Sequence, residues 1–234
     1  MCRKAMADCY AYMKEKLKHG KLCVLYLDGL GYRMYEEGKR RGALAYIQSA
    51  FSVEPLLSVE PPVTNPNMAT MLTGRPPEEH GIQSRRDKIP NCPTIFADAV
   101  LSSISGNAVL LEGDSSIIKT ELHPILHTGR EGKGTDYWIY RSVLKEIEKG
   151  AGFIFAHFHE IDDCAHTYGT TSEETMKKIQ ELDSYVKEID GCWNGAILLI
   201  SDHGLHDTET GGTHGDGCQE DRIAIWGEKI LQTF

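Results

Sequence analysis

Leu22-Cys23-Val24-Leu25-Tyr26-Leu27 is an unbroken apolar run that stops abruptly at Asp28-Gly29. A run this short, apolar at every position rather than at every second one, predicts a strand buried on both faces, the habit of parallel sheets covered by helices. The pattern returns along the chain. Ala108-Val109-Leu110-Leu111 leads into Glu112-Gly113-Asp114, and Phe153-Ile154-Phe155-Ala156 precedes the stretch His157 to His166. Ala196-Ile197-Leu198-Leu199-Ile200 leads into Ser201-Asp202-His203-Gly204. Helical patterns lie between these runs, at Ala5 to Lys18, Pro66 to Leu72, Ile95 to Leu101, Thr135 to Lys149 and Ser172 to Ile189. The alternation predicts an α/β domain with a mostly parallel central sheet. Ligands gather at the carboxyl ends of such strands, where Asp28, Asp162 and Asp202-His203 are expected to fall.

The chain has 234 residues, enough for one substantial core, and no repeat, low-complexity tract or evident linker divides it. A single domain over residues 1–234 is expected. Hydrophobic content of 41% and charged content of 25% are ordinary for a soluble globular protein. A formal charge of −9 argues against a protein that coats nucleic acid, so no nucleic-acid polymer is expected as a partner. The stretch Met1 to Gly20 is basic but lacks the apolar run of a signal peptide. No segment approaches the roughly 20 apolar residues of a membrane span. Seven cysteines without framework spacing fit a reducing compartment, and a cytoplasmic location is expected. The glycine-rich stretch Gly129 to Gly134 follows no strand and lacks the spacing of a phosphate loop, so it reads as a mobile surface loop.

The chemistry lies in an ordered set: Asp28, Asp162, His166, Asp202, His203 and His214, with Thr64 between the first two. Three carboxylates and three imidazoles can give two divalent metals three protein ligands each, and a hydroxyl beside them suits displacement at phosphorus. Asp162 and His166 are four residues apart, one helical turn. Asp202 and His203 can reach one metal only where the chain leaves its strand, and Gly204 supplies that turn. His214 sits in the flexible setting Gly211-Gly212-Thr213-His214-Gly215. Thr64, two residues before Pro66, reads as the N-cap of a helix. The cap is compatible with chemistry, because a helix N-terminus offers N–H groups to a phosphoryl oxygen. Each residue alone has an ordinary structural explanation; six in this order do not.

These residues resemble the alkaline phosphatase superfamily, and within it the type I phosphodiesterase/nucleotide pyrophosphatase branch. The resemblance rests on Leu27-Asp28-Gly29, Thr64-Asn65-Pro66-Asn67, Leu72-Thr73-Gly74, His80-Gly81-Ile82, Asp162 to His166, Asp202-His203-Gly204 and Thr213-His214-Gly215. It implies a three-layer α/β/α sandwich holding two divalent metal ions, usually Zn2+ and occasionally Mn2+. One metal is implied on Asp28, Asp202, His203 and the Thr64 hydroxyl, the other on Asp162, His166 and His214. The donor types suit zinc without excluding manganese. The implied reaction is in-line attack of Thr64 on a small phosphate or phosphonate ester, through a phospho-threonine intermediate, with Asn65 at the substrate.

Two departures stand out. The branch usually carries an asparagine a few residues after His-Gly-Ile, and counting from Thr64 this chain has Arg85 there. An arginine can clamp phosphate through two N–H groups, which favours a more highly charged group than a plain diester. The interval between His203 and His214 is also too short for the cap that many relatives insert. Recognition is then expected from the region Gln83 to Trp138 or from a partner subunit in an oligomer. The leading expectation is cleavage of a phosphodiester or pyrophosphate bond. Phosphonate hydrolysis, as in phosphonoacetate hydrolase, and phosphoryl-headgroup transfer are the alternatives. A non-catalytic metal-stabilised binding module is disfavoured, since no ligand position is missing. A sulfatase is disfavoured because no Cys/Ser-x-Pro-x-Arg signature surrounds Thr64. His157, His159, Asp163, Cys164, His206 and Cys218 lie near the set in sequence, and the two cysteines read as packing residues.

Overall fold

The computed structural model describes residues 4–97 and 107–230. All four expected strands are present: β2 (Leu22–Leu27), β4 (Ala108–Glu112), β6 (Phe153–Phe158) and β7 (Ala196–Ile200). With β1 (Lys4–Ala5), β3 (Phe51–Leu57), β5 (Ile125–Leu126) and β10 (Ile223–Lys229) they form one sheet in the order β1-β3-β10-β7-β2-β6-β4-β5. The strands from β5 to β7 pair in parallel, and β10 alone runs antiparallel to both its neighbours. Pro55 sits in β3 opposite Ile225, while the two-residue β1 touches only Leu56 and Leu57. Its missing N–H therefore faces the side where the ladder is incomplete.

The apolar runs are buried on both faces because helices cover both. Cys23, Leu25 and Leu27 of β2 join one core cluster with Ile154 and Ala156 of β6 and Ile197 and Leu199 of β7. That cluster is closed by α2 (Tyr32–Arg40), α3 (Ala45–Ala50), α6 (Thr135–Glu148) and α8 (Glu173–Cys192). Leu22, Val24 and Tyr26 point the other way, with Phe153, Phe155, Leu198 and Ile200. There they meet α1 (Asp8–His19) and α4 (Thr64–Thr73). Strand alternation thus divides one apolar sequence between two cores and makes three layers. The short α5 (Pro77–His80) and α7 (Glu160–Tyr168), with the hairpin β8 (His206–Thr208) and β9 (Gly211–Thr213), complete the elements used below.

Expected helices over Ala5–Lys18, Pro66–Leu72, Thr135–Lys149 and Ser172–Ile189 correspond to α1, α4, α6 and α8. The Ile95–Leu101 expectation is met only by a 3-10 turn at Ile95–Ala97; its remainder lies outside the described residues. Gly129 to Gly134 lies on the surface, as expected. It is a tight turn closed by Arg130 and Lys133, with Arg130 stacked on Trp138 at 4.0 Å. Among the described residues, no helix is long and apolar enough to cross a membrane.

The ends of β2 and β7 approach through two glycines. A Cβ on Gly31 would lie 2.4 Å from the Cα of Gly204, and one on Gly204 would lie 2.4 Å from the Glu220 carbonyl oxygen. Only hydrogen fits at either position. Gly31→Ala is expected to cost about 1–3 kcal/mol, the range for overpacking a close contact. Urea unfolding checks this, and a midpoint unchanged from the wild type would show that the two loops part without strain.

Candidate active site

The expected residues converge where the parallel strands end. Asp28 follows β2 at the middle of the sheet, and Asp202-His203 follow the adjacent β7. Gly29 takes a left-handed φ of 70°, and a Cβ there would fall 2.6 Å from Asp162 Oδ1. The turn after Asp28 is therefore a glycine turn with Asp162 packed directly against it. Asp162 and His166 lie on α7, four residues apart as expected, and His214 follows β9. Asp28, Asp202 and His203 are buried, and each can offer one ligand atom within 4.8 Å of the others. Asp162, His203 and His214 form a second such group. His166 is not part of that group, but its Nε2 stands 3.2 Å from Asp162 Oδ2.

The three histidines share one device. His203 Nδ1 donates to the Gly204 carbonyl (3.1 Å), His166 Nδ1 to the Gly212 carbonyl (2.8 Å) and His214 Nδ1 to the Pro62 carbonyl (2.8 Å). In the neutral ring each such bond leaves the lone pair on Nε2, the arrangement that a metal-binding imidazole needs. The His203 and His214 rings stack at 3.7 Å. Burial lowers His203 to about 4, and burial with the neighbouring His203 lowers His214 to about 3, so both rings are neutral at pH 7. Asp28 Oδ1, Asp162 Oδ1 and Asp202 Oδ2 are buried without a hydrogen-bond partner. Unpaired buried carboxylate oxygens facing imidazole lone pairs are the donor set of a divalent cation.

Thr64 corrects one expectation. The N-cap of α4 is Val63, with no side-chain cap bond, and Thr64 is the first helical residue. Its hydroxyl is directed instead to His203 Nε2 at 3.4 Å. Pro66 consequently lies inside the first turn, where its missing N–H costs nothing. Asn65 is buried, and its Nδ2 donates to the carbonyls of Arg85 (3.3 Å), Asp87 (3.0 Å) and Ile117 (3.1 Å). It thereby holds the segment that carries Arg85. The Arg85 guanidinium reaches into the site and donates to His214 Nε2.

Two residues support the site in roles that the sequence did not disclose, His157 being noted there only for its nearness to the set and Asp136 not at all. His157, the fifth residue of β6, hydrogen-bonds Asp28 Oδ2 through Nε2 at 2.8 Å and stacks on Tyr26 at 4.4 Å. A histidine in an otherwise apolar strand was the available signal. Asp136, buried on α6, accepts the main-chain N–H groups of His159 (2.9 Å) and Glu160 (3.1 Å) and so fixes the start of α7. No local pattern announces a cap delivered from another helix. Beside Asp28 and Asp162 a cavity of about 160 Å3 opens toward Gly113, Ser115 and His159.

Fold and donor set together define an alkaline phosphatase-like α/β protein with candidate metal-binding clusters. The chain belongs to the type I phosphodiesterase / nucleotide pyrophosphatase family, which it matches over residues 22–89 and 117–221. No curated protein sequence matches it. Among solved structures, phosphonoacetate hydrolase from Sinorhizobium meliloti 1021 in complex with phosphonoformate is similar with a TM-score of 0.60 at 19% identity, over 80% of this chain and 56% of that one. Murine ectonucleotide pyrophosphatase/phosphodiesterase 5 is similar with a TM-score of 0.60 at 17% identity, over 81% of this chain and 58% of that one. An inactive threonine-to-alanine form of the murine protein, in complex with AMP, gives a TM-score of 0.58 at 18% identity with the same coverage. The chain thus spans a little over half the length of these structures.

Burial, with the charges of Asp202 and Asp162, pushes Asp28 well above the usual carboxylate range. Burial lifts Asp202 to about 6, despite the Gly29 N–H it accepts at 3.2 Å. A cation takes the ionised carboxylates, so below about pH 6 binding must displace protons and affinity falls as pH falls. Zinc affinity measured by competition with a chelator is expected to drop at least about tenfold between pH 7 and pH 5. Affinity that is flat over this range would mean that these carboxylates do not ligate.

Proposed function

We propose that this chain is a metal-dependent hydrolase that cleaves a phosphodiester or pyrophosphate bond through a phospho-Thr64 intermediate. The carrying observation is the convergence of three backbone-anchored imidazoles and three unpaired carboxylate oxygens beside the Thr64 hydroxyl. Family membership supports the reaction class. Asp28, Asp202, His203 and the Thr64 hydroxyl would hold one divalent ion, and Asp162, His166 and His214 the other. Two such ions, zinc by donor type with manganese as the alternative, supply a lowered hydroxyl pKa and charge neutralisation at phosphorus.

The chain's own residues do the positioning. Thr64 sits at the N-terminus of α4, where main-chain N–H groups and the helix dipole meet a phosphoryl oxygen. Thr64 Oγ1 gives its proton to solvent and bonds to phosphorus, while the bond from phosphorus to the leaving oxygen breaks on the opposite side and that oxygen keeps the electron pair and takes a proton from solvent. Attack of water on the phospho-threonine then returns the free hydroxyl. Arg85 donates to the one lone pair on His214 Nε2, which a bound cation would need, so the guanidinium would have to leave it when the site is filled. Once displaced from it, the guanidinium is the free cationic donor for the substrate's non-bridging oxygens. Asn65 acts at the substrate by holding Arg85's segment in place.

Phosphonate hydrolysis is the second reading, and Arg85 favours it, since a guanidinium clamp suits a dianionic phosphoryl group better than a diester. The solved relatives carry phosphonoformate in one case and AMP in the other.

Thr64→Ala is expected to abolish turnover of a chromogenic phosphodiester, by at least about a thousandfold, while leaving bound metal at or near its wild-type content. Near wild-type rates in that variant would remove Thr64 as nucleophile. Arg85→Ala is expected to lower kcat/KM by about tenfold or more, the range for a hydrogen bond to a charged group. Unchanged kinetics on diester, monoester and phosphonate alike would dismiss Arg85 as a substrate contact.

A further inference from the structure

One mixed cluster of metal-ligating side chains lies outside the Thr64 centre among the described residues. His206, Cys218 and Asp221 each present a ligand atom, all within 4.8 Å of one another. His206 opens β8, while Cys218 and Asp221 lie on the turn that follows His214. Asp221 is fully buried, yet its carboxylate is drawn to this spot. Its Oδ1 lies 2.8 Å from His206 Nδ1, and its Oδ2 accepts the Gly215 N–H at 2.9 Å. On the far side of the imidazole, Asp216 Oδ2 stands 3.3 Å from Nε2. Cys218 is a free, half-buried thiol, and the reaction proposed above uses none of these groups.

We propose that His206, Cys218 and Asp221 form a third, thiolate-containing site for a divalent cation of the zinc type. Imidazole, thiolate and carboxylate are a zinc donor set, and a thiolate excludes the hard ions that carboxylates alone would take. Each donor has a defined part. His206 binds through Nδ1, and its Nε2–H then donates to Asp216, the carboxylate–histidine pairing that orients metal-bound imidazoles. Asp221 binds through Oδ1 while Gly215 holds Oδ2. Cys218 binds as thiolate. Binding releases two protons to solvent, one from between His206 Nδ1 and Asp221 and one from the thiol. The fourth position is left to water on the exposed side.

The placement gives the site a structural task. The Asp221 carbonyl accepts the Gly204 N–H at 2.8 Å, next to His203, and its carboxylate holds Gly215, next to His214. A cation joining His206 to Cys218 and Asp221 clamps both ends of the segment that delivers these two imidazoles. The proposal does not depend on the Thr64 reading, because the donors assigned there are all oxygen and nitrogen.

That difference provides the test. Metal-stripped full-length chain is titrated with Co2+ and followed by absorption. The expected result is a near-ultraviolet thiolate-to-cobalt charge-transfer band. It should persist in Asp28→Asn, which damages the other centre, and vanish in Cys218→Ser. His206→Ala should weaken the Co2+ dependence of the band by about tenfold or more, and it serves as the second variant should Cys218→Ser fail to fold by circular dichroism. The absence of a thiolate band at saturating Co2+ would overturn the proposal. A band that survives in folded Cys218→Ser, or is unchanged in His206→Ala, would overturn it equally.

Discussion

Three carboxylates gathered at the end of one sheet, two of them buried and each with a buried oxygen left unpaired, are the constraint around which this protein is arranged. Burying unpaired carboxylate costs several kcal/mol per group unless a cation or a donor compensates it. The protein compensates only in part. His157 takes one oxygen of Asp28, the Gly29 N–H takes one of Asp202, and His166 faces one of Asp162. The remaining oxygens are turned inward among imidazole lone pairs. A fold that gathers carboxylates in this way offers a donor set that a divalent cation would satisfy.

The scaffold makes that concentration affordable by distributing it over rigid elements. Asp28 and Asp202 leave adjacent parallel strands whose residues are buried on both sides. Asp162 is carried on a helix started by Asp136, and the imidazoles are locked by main-chain carbonyls rather than by side chains that could rotate away. Thr64 enters from the opposite layer at the head of α4. Asn67 fixes that entry, accepting the Val59 N–H at 2.9 Å and donating to the Val63 carbonyl at 3.0 Å. The Thr64 hydroxyl and the Asp162–His166 pair thus come from opposite layers, and the sheet between them, which carries Asp28 and Asp202, sets their spacing.

What the sequence discloses follows from range. Strands covered on both faces write themselves as unbroken apolar runs, so β2, β4, β6 and β7 are legible, and their carboxyl ends indicate where Asp28 and Asp202 lie. β3 and β10 are harder: one carries Pro55 and the other Gly227, and both depend on partners distant in sequence. The order of carboxylates and imidazoles along the chain is legible for the same reason that the family is, since both are written in the motifs themselves. Their tautomers are not, because the carbonyls of Pro62, Gly204 and Gly212 become partners only on folding. Thr64 shows the boundary well. Local rules make it a cap, and tertiary structure moves the cap to Val63 and turns the hydroxyl to His203. Arg85 on His214 and Asn65 on three carbonyls are likewise contacts that no spacing reveals.

Anomalous diffraction at the zinc edge, from crystals equilibrated with Zn2+, tests the central claim most directly. The account predicts two peaks about 3.5–4 Å apart. One should be bounded by Asp28, Asp202, His203 and Thr64 Oγ1, the other by Asp162, His166 and His214, with Arg85 withdrawn from His214 Nε2. A map with no peak among these residues at saturating Zn2+, and with Arg85 still seated on His214, would contradict it.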